Sequence, residues 1–284
     1  MRIRRNIRKA GAKLGFHGFG VTASLVFVAP FVLSVLASFK TGTESAQPPF
    51  PPWPVNGFSL ANYHQLTKVG AGLATNLANS ATVTVATVLL TVILSTLAGY
   101  GFSRFRFPFR NTLFVLLIST LMIPFQSILT PLFVLLTRMG LNNTLLGLVL
   151  VYVTLQMPFA VFMMRNAFDA VPKEIEEAAV IDGASGIAMS RRILLPLVAP
   201  GVVTVAIFTA FNAWNEFLAA LIFLTDQDKY TMPLLITAVR AGRMGDINWG
   251  AVQAGVVVMT VPCLLLFILL QRYYMRGLMS GAVK

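Results

Sequence analysis

The chain has 284 residues, 56% of them hydrophobic and 11% charged, against about 45–50% and about 25% in an ordinary soluble domain. That balance argues against a cytosolic enzyme, a secreted disulfide domain and a disordered chain, and leaves an integral membrane protein. The net charge of +12 calls for no nucleic acid, because basic residues collect on the cytoplasmic side of membrane proteins.

In chain order, a basic tail (1–19) carries Arg2, Arg4, Arg5, Arg8, Lys9 and Lys13. The first apolar run, Gly20–Phe39, follows it and defines a first transmembrane helix at 20–39. The run is longer than the 7–15 residues of a signal-peptide core, so it reads as a retained anchor although Val35-Leu36-Ala37 resembles a cleavage site. An external loop, 40–75, contains Gln47-Pro48-Pro49-Phe50-Pro51-Pro52-Trp53-Pro54. Its prolines bar a helix and favour an extended polyproline form. It reads as a stiff spacer with Phe50 and Trp53 at headgroup level, or as a docking surface.

The remaining stretch, 76–272, reads as a five-helix transmembrane core. Its apolar runs are Leu77–Phe102, Leu113–Leu136, Leu145–Met164, Leu197–Leu224 and Ala251–Leu270. At about 1.5 Å per residue each covers a hydrocarbon core of about 30 Å. None alternates apolar and polar as barrel strands do. The fold expected is therefore all-α, with six transmembrane helices. Glu216 is the one charged residue in these spans. Pro30, Pro124, Pro131, Pro158, Pro200 and Pro262 fall inside spans, where kinks are expected.

The loop between the fourth and fifth spans, 165–196, is unlike the rest. Five of the ten acidic residues sit in it: Asp169, Glu174, Glu176, Glu177 and Asp182. Val171-Pro172 starts a short helix with proline at its first position, and Glu174, Glu176 and Glu177 complement the positive end of its dipole. Ile175, Ala178, Ala179 and Ile181 give it apolar surface. Gly183 ends that helix or lets another backbone approach. A second short helix, Ile187–Leu195, carries Arg191 and Arg192 and stops at Pro196. The pair is either an interfacial connector or a peg for a soluble partner, with Ala178, Ala179 and Gly183 permitting close contact.

In the fifth span, a charge in lipid costs about 2.5–3.5 kcal/mol, so Glu216 should face protein or water. On a continuous helix Asn212, Asn215, Glu216 and Ala219 share one face, with Trp214 pointing elsewhere. The cluster lies about 22–28 Å along the helix from Leu197. It is either a buried hydrogen-bond knot or the lining of a path for a polar solute such as a sugar. A second external loop, Thr225–Gly250, carries Asp226, Asp228, Lys229, Arg240, Arg243 and Asp246. A tail, 273–284, closes the chain. Sixteen Lys and Arg fall on the side of the N-terminal tail and six on the other, which puts both termini in the cytoplasm.

No Gly-x-x-x-x-Gly-Lys-Ser/Thr loop is present, so the chain has no such ATP site of its own. No nucleophile arrangement gives it a catalytic site. His17 and His64 are isolated, and Cys263 is the single cysteine; neither points to a metal or to an internal disulfide.

Glu177-Ala178-Ala179, Gly183, Ile193 and Leu195-Pro196, at their spacing, resemble the EAA loop of permease subunits in binding-protein-dependent ABC importers. That resemblance implies a type I permease fold. It implies that Glu177, Ala178, Ala179, Asp182, Gly183, Ile193 and Pro196 couple the chain to an ATPase. Trp214-Asn215-Glu216-Phe217-Leu218, Leu60-Ala61-Asn62-Tyr63, Asn79-Ser80 and Gly277–Lys284 resemble the carbohydrate branch, of the maltose type. The branch implies a solute path at Asn212, Trp214, Asn215 and Glu216, and a carboxy-terminal tail that reaches the ATPase. It further implies a prokaryotic plasma membrane location and a second homologous permease subunit. The remaining partners would be an ATPase dimer holding ATP and Mg²⁺, and an extracytoplasmic sugar-binding protein. This chain would bind no cofactor and perform no catalysis. The proline-rich loop departs from the branch pattern. Two rivals remain, a proton-coupled secondary transporter in which Glu216 titrates, and an ABC permease for peptides or amino acids.

Overall fold

A computed structural model of the chain describes residues 2–45, 51–241 and 247–280. Among the described residues the regular structure is wholly helical. In order, α1 is Arg2–Ser38, α2 Gly42–Ser45, α3 Ala61–Leu66, α4 Leu73–Arg104, α5 Arg110–Ser119, α6 Phe125–Arg138 and α7 Leu145–Asp169. Then come α8 Lys173–Ile181, α9 Gly186–Met189, α10 Leu195–Asn215, α11 Leu218–Phe223, α12 Met232–Arg240 and α13 Trp249–Ser280. Among the described residues, five stretches are long and apolar enough to cross a membrane: Phe16–Ser38, Leu73–Arg104, Leu145–Asp169, Ser190–Asn215 and Trp249–Ile268. A sixth exists if the bent pair around Pro124 counts as one span.

Two expectations change here. The third apolar run is not one helix: Arg110–Met122 and Phe125–Arg138 meet at 103°. Pro124 lacks an N–H and disfavours the α region for its predecessor, and Ile123 is extended at φ −80°, ψ 118°. The fifth run is also interrupted, with Glu216 extended at ψ 129° between α10 and α11. Pro30, Pro131, Pro158, Pro200 and Pro262 instead lie inside helices that continue through them.

The chain divides into two compact units, Met1–Gly72 with Ile236–Thr260 and Leu73–Leu235 with Val261–Lys284. In the first, the buried Asn62 organises a polar knot. Its Nδ2 donates to the carbonyls of Ser38 (3.0 Å) and Lys40 (2.9 Å), and its Oδ1 accepts from Ser45 (3.1 Å). Glu44 holds the proline-rich loop by accepting the amides of Val55 and Asn56 at 2.9 and 2.8 Å. The loop's residues 46–50, Phe50 included, lie outside the described residues, as do 242–246 with Arg243 and Asp246, and tail residues 281–284.

In the second unit α4, α7 and α10 pack together. The buried face of α4 is a column of small residues: Ser80, Thr84, Thr87, Thr91, Ser95, Gly99 and Ser103. Small side chains let helices approach closely where no hydrophobic effect drives them together. At Gly99 an added Cβ would fall 2.6 Å from the Met164 Cβ, and at Gly201 one would fall 2.7 Å from the Ala167 Cβ. One core gathers α7 around Tyr152 with Ala219, Ala220 and Phe223 of α11. The other joins Met164 and Phe168 of α7 to Ala179, Leu194 and Val198.

Candidate functional site

The segment after α7 forms a structured elbow. Pro172 sits at the N-cap of α8, with Glu174 and Glu176 in the first turn. The end of α8 is a Schellman closure, in which Gly183 N donates to Val180 O (3.0 Å) and Ala184 N to Ala179 O (2.9 Å). Gly183 has φ +80°, and an added Cβ would meet nothing within 4 Å. Its backbone conformation therefore requires the glycine, and crowding within the chain does not. Ser185 Oγ then accepts from Ala188 N at 3.3 Å as α9 begins.

The elbow divides the sequence-predicted coupling residues. Glu177, Ala178, Asp182 and Gly183 are exposed, and so are Val180 and, at 85%, Ile181. Ala179 is instead 5% exposed and packs into the chain's own core, with Ile193 beside it. Ala179 is thus no part of the outward surface, because α8 needs an inner face against α7. Pro196 does not stop the second helix. A π-helical turn, Ser190–Leu194, runs straight into α10, and Pro196 occupies its first turn. The N–H that Pro196 lacks falls at the join, where the wider π turn gives way to α10.

The elbow is fastened to α4. The Arg104 guanidinium pairs with Glu176, donates to Val171 O (2.8 Å) and to Ser103 Oγ (3.1 Å), while Ser103 Oγ donates to Asp169 Oδ1 (2.5 Å). Arg165 lies 4.0 Å over the Phe114 ring. Arg104 and Glu176 are 72 residues apart, and no spacing rule links them.

The second site is the break after α10. Glu216 Oε1 accepts Ala219 N at 2.8 Å, and Oε2 accepts Ala220 N at 3.2 Å and Tyr152 OH at 2.7 Å. The carboxylate thus caps α11, where its charge also suits the helix dipole. The single helix face expected for Asn212, Asn215, Glu216 and Ala219 does not exist, because the backbone turns at Glu216. Asn212 and Asn215 are exposed on α10, whereas Trp214 is 6% exposed and Ala219 fully buried. Asn212 Nδ2 donates to Gln156 Oε1 of α7 (3.2 Å), and Asn215 Nδ2 to Phe211 O (2.8 Å) and Cys263 Sγ (3.8 Å). Gln156 was legible as a polar residue in the fourth span, though no spacing ties it to Asn212.

Two further motifs have clear structural work. Asn79 Nδ2 donates to the carbonyls of Asp228 (2.8 Å) and Tyr230 (3.0 Å), and Ser80 Oγ accepts from Met232 N (2.8 Å). They pin the start of α12, a helix that the sequence of the 225–250 loop does not announce. Nearby, Lys229 and Asn143 hydrogen-bond the Asp226 carboxylate and keep it below the usual aspartate range. Among the described residues no group of three or more His, Cys, Asp or Glu is placed to hold a metal.

The chain is 31% identical to the diacetylchitobiose uptake system permease protein NgcG of Streptomyces coelicolor, over 94% of this chain and 88% of that one. It is 33% identical to the trehalose/maltose transport system permease protein MalG of Thermococcus litoralis, over 93% and 94%. Its fold matches a chain of a bacterial ABC transporter involved in import of the acidic polysaccharide alginate. That match has a TM-score of 0.77 at 20% identity and covers 94% of this chain and 97% of the other. The family described as the inner membrane component of binding-protein-dependent transport systems matches residues 91–278, a region that contains both the elbow and the Glu216 break. On this match and those relatives, the chain belongs to the family of inner membrane components of binding-protein-dependent transport systems.

Proposed function

We propose that the chain is the membrane-spanning permease subunit of an ATP-driven importer of a sugar. It pairs with a second permease subunit, takes its cargo from an extracytoplasmic sugar-binding protein, and is driven by an ATPase dimer. ATP and Mg²⁺ are held by those ATPases, and this chain carries no catalytic step. Both termini and the elbow face the cytoplasm in this reading. The carbohydrate names of its relatives support the cargo.

The single observation that carries the reading is the elbow. A nine-residue helix, locked by a glycine closure, presents Val180 and Ile181 at 62% and 85% exposure among acidic neighbours. Exposed apolar side chains on so ordered a projection suit a fitted groove on a partner. ATPase closure would move α8, and α7 and α10 would follow because they are its covalent neighbours on both sides. At the break, Asn212 and Asn215 offer amides that hydrogen-bond hydroxyl groups. Glu216 holds the turn that follows them, and Trp214 between them is buried.

The test is uptake of tritiated maltose and of tritiated diacetylchitobiose into vesicles containing the assembled complex. ATP-dependent uptake of either sugar is expected, together with its loss on Gly183→Val, which strains the φ +80° closure. Uptake of neither sugar, or undiminished uptake by Gly183→Val at normal expression, overturns the reading.

A further inference from the structure

The elbow is continuous in sequence with α7 through Asp169–Pro172, and with α10 through α9 and the π-helical turn. It has no covalent tie to α4. A load applied to Val180 and Ile181 therefore reaches α7 and α10 along the backbone, but can reach α4 only through packing or side chains. Arg104, the last residue of α4, supplies such a tie.

We propose that Arg104 is a positioning residue that locks the first turn of α8 to the end of α4, so that α4, α7 and α10 take up the elbow's displacement as one body. The geometry supports a rigid joint. The guanidinium has 7% exposed side-chain area and Glu176 15%. A planar fork with several donors holds its acceptors in fixed directions. Here one arm takes the Glu176 carboxylate on α8, and a second takes Val171 O just before it. The third takes Ser103 Oγ, whose own proton goes to Asp169 at the end of α7. Three elements are thus joined at one point. The joint stands on a stiff base. Gly99, little more than one turn before Arg104, admits α7 so closely that an added Cβ would fall 2.8 Å from the Arg165 nitrogen. Sliding of α4 along α7 at this end is opposed by that contact. Without the Arg104 tie, α8 would be held to the bundle by the packing of Ala179 alone, with no side chain fixing it to α4.

This inference rests on the proposed ATP-driven import, so its test has one arm that does not. Nitroxides are placed on Leu97 of α4 and Ser185 after α8, both exposed, with Cys263 replaced by serine. The interspin distance is measured on the full chain in lipid nanodiscs with whatever subunits accompany it. A narrow distribution is expected for the otherwise unaltered chain, at least twice as broad for Arg104→Gln or Glu176→Gln, and intermediate for Arg104→Lys, which keeps the charge but not the fork. In the second arm, uptake of tritiated maltose or diacetylchitobiose is divided by ATP hydrolysed. The ratio should fall at least threefold in Arg104→Gln with the hydrolysis rate kept, and Arg104→Lys should lie between. A distribution that stays narrow in both single variants overturns the proposal. So does an unchanged ratio, or a parallel fall of hydrolysis and uptake, which would mark Arg104 as a docking or folding residue. Failure of the functional reading would show separately, as absent ATP-driven uptake in the unaltered complex.

Discussion

Two interruptions inside apolar runs of this chain have opposite causes. Between Met122 and Phe125 the helix stops where the backbone is biased against it: Pro124 has no N–H and disfavours the helical region for Ile123, which is extended. No side chain caps the new helix there, and Leu121, Met122 and Ile123 are all at least half exposed. Between Asn215 and Leu218 nothing in the backbone forbids a helix. The break exists because the Glu216 carboxylate replaces the carbonyls that Ala219 N and Ala220 N would otherwise use. That substitution is buried, since Ala219 and Ala220 have no exposed area, and Tyr152 adds a third donor from α7. A proline break begins from a local backbone bias, one that the helices running through Pro30, Pro131, Pro158, Pro200 and Pro262 override. A carboxylate break is a tertiary device.

The strongest way to break this comparison is Glu216→Leu. It strands two buried amides and the Tyr152 hydroxyl, each at about 1–3 kcal/mol before relaxation. A loss of about 2–4 kcal/mol in reversible detergent unfolding is expected, with fast amide exchange over Leu218–Phe223. A stable variant with a continuous helix through residue 216 would show that the break has another cause. Tyr152→Phe removes one donor and leaves the amides capped. Its expected cost is about 1 kcal/mol, with α11 still protected. A cost equal to that of Glu216→Leu would mean that Tyr152, not the carboxylate, holds the turn.

Pro124→Ala sharpens the other side. Alanine restores the N–H and removes the restriction on Ile123, so the stability change should stay under about 1 kcal/mol while the geometry moves. Nitroxides on Val115 and Leu135, both exposed, would lie about 30 Å apart on a straight helix. The 103° bend holds them closer, and the variant should lengthen the distance. An unchanged distance would transfer the cause to Phe125, Leu129 and Leu132, which pack on the core around Tyr152.

The two breaks also mark what the sequence could and could not disclose. Span positions were legible because each run is long, apolar and nearly uncharged. The elbow was legible because proline, acidic residues and glycine stand at fixed offsets around α8. Pro124 signalled a disturbance, but not whether it would be a kink or a full turn. Glu216 signalled a cost, and placing it on a continuous helix face concealed that its cheapest partners are amides three and four residues away. The small-residue column of α4 was present at three- and four-residue spacing, but a polar column hides inside a run that is apolar on average. Arg104 and Glu176 meet only because α4 and α7 pack side by side, and neither helix's sequence names the other as its partner.

Glu44 carries the comparison into water, where a carboxylate does the same work at lower stakes. Its oxygens take the amides of Val55, Asn56 and Thr41 and the Thr41 hydroxyl. Partial desolvation pushes its pKa up, but the hydrogen bonds from Asn56, Thr41 and Val55 together outweigh it and hold the group below its ordinary value of 4.5. A carboxyl whose folded pKa is depressed stabilises the fold fully above that ordinary value and loses the contribution as pH falls through the lowered one. Because Glu44 is only half-buried, water replaces much of what protonation removes, and the effect should be confined to its loop. Amide exchange corrected for intrinsic rates should show steady protection of Val55 and Asn56 above pH 4.5 and a decline below it. Glu44→Gln, neutral at every pH, should leave the same two amides weakly and evenly protected across the range. Protection in the unaltered chain that persists undiminished to about pH 2, well past the usual carboxylate range, would mean that the prolines alone hold the loop. The carboxylate device would then matter only where no water can stand in for it, as at Glu216.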